Sequence, residues 1–217
     1  MDPWTGHLRR AEARYRDGSA RLPDEPDARQ RQLTRTGNAA YAAGLSLLML
    51  DRRGEAADWL GRAAEAYRQS YSDAPPGSWG RPIAALKARL LADDFAAAEE
   101  EARWALGEGA ADSDTPIGRY AAALALLTLG RDEDARPATS ALREREDFPQ
   151  DVADALATTA AEDPVGYVYA VESVLESFER REEYLEDIPV ADTVLVLQAL
   201  AGRRAMAAEL ASPLLPP

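Results

Sequence analysis

The chain has no cysteine, one histidine and, among its 25 basic residues, one lysine. The missing cysteines exclude a disulfide framework, thiolate-bound zinc or iron–sulfur sites and a cysteine nucleophile. A lone His7 excludes metal sites built from several imidazoles. It also leaves little room for a serine–histidine–acid triad. Long apolar runs are missing too. The longest, Ala39 to Leu50, is well short of the roughly 20 residues that a bilayer span needs and is expected to be a buried helix. The opening stretch MDPWTGHLRR lacks the apolar core of a secretion signal. The expectation is a soluble, cytoplasmic protein with no membrane partner.

What is present is acid and alanine. There are 38 Asp and Glu against 25 Lys and Arg, a net charge of −13, and the pI is near 4.6. Nucleic acid and anionic membrane are excluded as partners, because neutralising phosphates takes clustered Lys and Arg. Alanine supplies about one residue in five. An acidic, lysine-poor, Ala-rich composition has two ordinary sources. One is GC-rich coding. The other is a halophilic cytoplasm, where carboxylates keep a surface hydrated and salt screens their repulsion. If the charge is salt adaptation alone, it carries no information about a basic partner.

Ala, Leu, Arg and Glu are strong helix formers, and β-branched residues are sparse before Val190. The pattern predicts an all-α protein. Helices are expected at about 3–16, 27–50, 55–71, 82–91, 94–106, 116–129, 132–145, 149–161, 164–186, 190–201 and 204–210. Asp17-Gly18 is read as a stop and Asp27 as a helix cap. Pro116 stands in a first turn, where its missing N–H costs nothing. The clearest break is 72–82, SDAPPGSWGRP.

Three segments share a spacing of small and apolar residues. The first has Gly44 and Leu47, then Ala56, Leu60 and Ala63. The second has Phe95, Ala98, Ala102, Ala105 and Leu106. The third has Ala123, Leu126, Gly130, Ala135 and Leu142. TLGRDEDA (Thr128 to Ala135) and ADDFAAAEEEARWAL (Ala92 to Leu106) carry the strongest match, and the pattern resembles tetratricopeptide repeats. The units lie further apart than the roughly 34 residues of that family, and no proline recurs at a regular place. The resemblance implies one all-helical domain over 1–217, with N-terminal helices at 1–36. Antiparallel helix pairs over 37–145 would stack as a degenerate tetratricopeptide-like array, followed by a C-terminal helical cap at 146–217. Such arrays use exposed surfaces to bind proteins.

The last quarter differs. A long acidic and aromatic helix, then Tyr184-Leu185, Pro189, an apolar helix with Leu197, Ala199, Leu200 and Ala201, and the closing Leu214-Leu215-Pro216 resemble the end of the immunity protein 49 family. That resemblance implies a cytoplasmic protein that binds and neutralises a cognate toxin.

Residue by residue, chemistry is thin. His7 stands beside Arg9 and Arg10, with no orienting acid or nucleophile in the pattern. Acidic runs at Asp93-Asp94, Glu99 to Glu101, Glu182-Glu183 and Glu186-Asp187 read as solvated helix faces. No Glu-x-x-His pair is available for a di-metal bundle site. Gly107-Glu108-Gly109 lacks the strand before it and the Lys-Ser/Thr of a phosphate loop. Arg29, Arg31 and Arg35 read as an exposed face neutralised by Asp24, Glu25 and Asp27. Trp59 and Trp104 read as core. Trp79, in the Pro/Gly loop, has two readings: packing over a helix end, or an exposed partner anchor of the kind enriched at binding hot spots. The expectation is a protein without catalytic residues, metal or cofactor. It would bind a protein partner, most sharply a basic toxin, through Trp79, Glu182, Glu183, Glu186 and Asp187. The alternative is a general interaction scaffold or regulator with no toxin partner.

Overall fold

A computed structural model describes residues 2–217. Ten α-helices account for most of them, and no strand occurs among the described residues. In chain order these are α1 (Pro3–Ser19), α2 (Pro26–Met49), α3 (Arg53–Tyr71), α4 (Gly80–Leu91), α5 (Phe95–Gly107), α6 (Pro116–Thr128), α7 (Asp132–Arg143), α8 (Gln150–Ala160), α9 (Pro164–Glu179) and α10 (Asp192–Gly202). The all-α class predicted from composition is the class observed.

Four helices start on an oxygen-bearing side chain followed by proline. Asp2, Glu25, Thr115 and Asp163 accept from backbone N–H groups of the first turn, and Pro3, Pro26, Pro116 and Pro164 follow them. The side chain satisfies donors that have no intrahelical partner, and the proline sits where it has no bond to lose. At α2 the cap is Glu25 rather than Asp27. The Glu25 carboxylate accepts from Asp27 N at 3.0 Å and Ala28 N at 2.6 Å.

A single turn recurs at the other end. After α2 the Arg52 N–H donates to Leu47 O at 2.9 Å and the Asp51 N–H to Leu48 O at 3.0 Å. This is the paired bonding that closes a helix when the residue past its end turns left-handed. The same two bonds close α4 about Asp93, α6 about Gly130 and α8 about Glu162, each leading into the next helix, and they also close α10 about Ala205, where no helix follows. The turn residues have φ between 53° and 67°. Ala56, Ala98 and Ala135 hold the same place in the helix after the turn, and Tyr167 holds it after Glu162. All four are fully buried.

The chain divides into two compact units. The first comprises Met1–Asp94, Glu182–Val190 and Leu215–Pro217. In it α1 packs on α2, α2 on α3, and α3 on α4. Glycines allow the close crossings. A Cβ on Gly44 would lie 2.6 Å from Leu60 Cγ. Asp17-Gly18 does not stop α1, which runs on to Ser19. Gly18 instead faces α2, where a Cβ would meet Thr36 Oγ1 at 2.8 Å.

The second unit comprises Phe95–Arg181 and Ala191–Leu214. Helices α5 to α9 pack in succession, with α10 against α8 and α9. The boundary at Asp94 and Phe95 falls inside the second of the three repeat-like segments. Two expected helices change. The helix begun at Pro164 ends at Glu179, not Glu186, and 182–190 belongs to the first unit. No helix forms over 204–210. Ala205 turns left-handed at φ 55°. The segment beyond it runs irregularly along α10, where Gln198 Nε2 donates to Ala208 O at 2.6 Å and Ala208 N donates to Gln198 Oε1 at 3.0 Å. These side-chain bonds replace the helical ones.

Candidate functional site

The proposed binding residues do not form one surface. Trp79 is a correction: it is 7% exposed, with its backbone at the N-terminus of α4. The loop before it folds inward, with Trp79 N donating to Gly77 O at 2.7 Å and Ser78 Oγ to Pro75 O at 2.6 Å. A buried indole cannot anchor a partner. Glu182, Glu183, Glu186 and Asp187 are not on a helix continuing α9, because that helix has already ended. Glu182, Glu183 and Asp187 are exposed on the irregular segment. Glu186 turns inward to Arg14, with Oε2 and Nη1 2.6 Å apart. Trp59 and Trp104 are half-buried rather than core. Trp59 packs edge-on against Tyr15 at 5.0 Å, and Trp104 Nε1 donates to Glu108 at 3.1 Å.

Most acidic runs spend their charge locally. Glu99 pairs with Arg103 and Arg203, Glu176 with Arg180, and Asp134 with Arg131. Such exposed pairs contribute little stability each. Among the described residues no group of three or more acidic or imidazole side chains could hold a metal ion. Arg10 Nη2 donates to His7 Nδ1 at 2.8 Å. The neutral ring therefore carries its proton on Nε2. Partial burial first, and then the Arg10 charge, hold its pKa below 6.5.

Three surface features stand out. The first is an apolar-to-acidic stripe on α9. Val165 is 67% and Tyr169 71% exposed, and Glu172 and Glu176 follow on the same face at helical spacing. The second is a groove of about 310 Å³ in the second unit, lined by Ala122, Leu126 and Ala138 together with Asp112, Asp114, Asp134 and Arg119. The third is a groove of about 520 Å³ in the first unit, lined by Arg14, Arg21, Arg35, Asp17 and Glu186. Sequence reading missed the stripe because Tyr169 and Val165 look like core residues of an apolar helix. It missed the convergence of the arginines because Arg14 on α1 and Arg21 just past its end lie apart in sequence from Arg35 on α2. A signal was available: Arg14 and Gly18 share a face of α1 at helical spacing, as Gln32, Arg35 and Thr36 do on α2.

No protein-family model, curated protein or solved structure matches this chain. Among the described residues no helix is long and apolar enough to cross a membrane.

Proposed function

We propose that the chain is a non-enzymatic, cytoplasmic protein-binding helical protein, and most sharply an immunity protein that neutralises a basic toxin. The observation that carries this reading is the α9 stripe. Val165 and Tyr169 offer exposed apolar surface, and Glu172 extends it as an acidic position, while Glu176 beyond it pairs with Arg180. Exposed Tyr supplies large contact area at low entropic cost and is enriched at hot spots. A matching partner would place an apolar pocket beside Lys or Arg. The net charge of −13 would speed its approach, since complementary charge acts mainly on association rate. The resemblance of the C-terminal quarter to the immunity protein 49 family supports a toxin as that partner.

The recurrent turn and its buried small residues favour the scaffold reading without a toxin, because stacked helix pairs bind many kinds of protein. Co-expression separates the two. A toxin gene encoded beside this one should be tolerated when both are expressed, and Tyr169→Ala with Glu172→Lys should abolish the protection while leaving the helical content unchanged. Lack of any rescue by the parent chain would overturn the immunity reading. A stable non-toxic partner, lost in the same double variant, would establish the scaffold reading in its place.

A further inference from the structure

The first-unit groove has the opposite chemistry to the rest of the surface. In a chain of net charge −13, it gathers Arg14 of α1, Arg21 just past the end of α1 and Arg35 of α2 against two carboxylates. Asp17, in the last turn of α1, pairs with Arg21 just beyond it. Glu186 pairs with Arg14 from a distant part of the chain. Arg35 is exposed and has no ion pair among the described residues. Gly18 packs closely on α2 at the base of the groove, and its carbonyl accepts from Gln32 Nε2 at 3.2 Å. That bond and the Thr36 Oγ1 bond to Gln32 O at 2.9 Å fix a polar floor between the arginines.

Glu186 does not arrive there by ordinary backbone. Glu186 and Asp187 have φ of 55° and 60° in succession. Two adjacent non-glycine residues seldom adopt that conformation, and it persists where surrounding contacts hold it. Here it delivers one carboxylate oxygen to one guanidinium nitrogen. A guanidinium is a fork that matches both oxygens of a carboxylate, and it is less tightly hydrated than an ammonium. Glu186 thus uses the groove with a single contact on an exposed arginine, which a ligand engaging Arg35 as well could displace.

We infer that the groove between α1 and α2 is a carboxylate site, read by Arg14 and Arg35, with Glu186 as its built-in competitor. The ligand class is a polycarboxylate. It could be a free small acid or the acidic side chains of a peptide. The site does not depend on the α9 stripe or on a toxin partner.

Titration calorimetry on the full chain tests it, with citrate and an acetylated tri-glutamate peptide as separate probes. Low ionic strength keeps screening from masking the contacts. At least one probe should bind saturably. Arg35→Gln, at an exposed position, should weaken it about tenfold, as expected for loss of a charge-assisted bond. Glu186→Gln should tighten it about threefold or more by removing the competitor. Tighter citrate binding would assign a free acid, and tighter peptide binding an acidic segment. The inference is overturned if neither probe saturates in the parent or in Glu186→Gln, if Arg35→Gln binds like the parent, or if inorganic phosphate binds more tightly than both.

Discussion

The Arg204 guanidinium forks onto the Asp132 carboxylate, with Nε 3.1 Å from Oδ2 and Nη2 on Oδ1. The same side chain donates to Leu127 O and Leu200 O, each at 2.7 Å. It therefore ties the last turn of α6, the first turn of α7 and the end of α10 at one point. Its side chain is 8% exposed and that of Asp132 15%. Removing one partner of a buried pair leaves the other charge uncompensated. Arg204→Ala should lose about 2–4 kcal/mol in urea unfolding. Arg204→Lys should recover little of that, because one ammonium cannot serve a carboxylate and two carbonyls in this fork. A loss below about 0.5 kcal/mol would place the pair with ordinary surface pairs.

The four recurrent turns make a second prediction. A left-handed turn costs an L side chain about 1–2 kcal/mol, and glycine escapes that penalty. Of these turn residues only Gly130 is glycine; Asp51, Asp93 and Glu162 are not, nor is Ala205 in the like turn that closes α10. Glu162→Gly should raise stability by about 0.5–1 kcal/mol, the gain being reduced by the freer unfolded chain. Gly130→Ala should lower it by about 1 kcal/mol. Thermal unfolding of the two variants should move in opposite directions.

These turns also explain what could be read from the sequence. Ala56, Ala98 and Ala135 were visible as a repeat because alanine recurs where helices cross closely. The fourth instance was hidden. Tyr167 stands in that place, fully buried, and donates to Gln198 Oε1 at 2.9 Å. Burial holds its phenol pKa well above the usual value. Glu162 likewise gives no glycine signal at its turn. The end of α9 was misread because Arg180 to Tyr184 keep helical composition, while the backbone at Glu186 and Asp187 turns left-handed. Propensity does not report such a tertiary override. The site was the least legible part. Trp79 had the right residue type in the wrong environment, while Tyr169 acquires its meaning only when its exposure is known, and Arg35 only when the residues across the groove are known.

Gly44 makes a third prediction. A Cβ there would lie 2.6 Å from Leu60 Cγ and 3.4 Å from Ala56 O. Leu60 is fully buried and has nowhere to move. Helix propensity alone would favour Gly44→Ala by about 1 kcal/mol, whereas overpacking costs about 1–3 kcal/mol. The steric effect should win, for a net loss of about 1–2 kcal/mol. Combining it with Leu60→Val should cost less than the two single losses added together, since the smaller side chain makes room. Strict additivity in denaturant unfolding would count against contact at this crossing.

His7 makes the last prediction. Partial burial and the Arg10 charge lower its pKa, and the Asp187 charge opposes them. An imidazole with a depressed pKa in the folded state takes up fewer protons there than in the unfolded chain. Its contribution to stability is present above the unfolded value near 6.5 and is lost as the pH falls from there through the folded value. Burial gives the main reason, since a charged ring loses solvation there, and the Arg10 charge adds to it, because an imidazolium would face a guanidinium that the neutral ring meets as a donor to Nδ1. A proton NMR titration of the single histidine should give a midpoint below 6.5. Arg10→Gln should move it up by removing the like charge. Asp187→Asn should move it further down by removing the opposing one. A midpoint at or above 6.5 in the parent chain would mean that the Arg10 contact is not kept in solution.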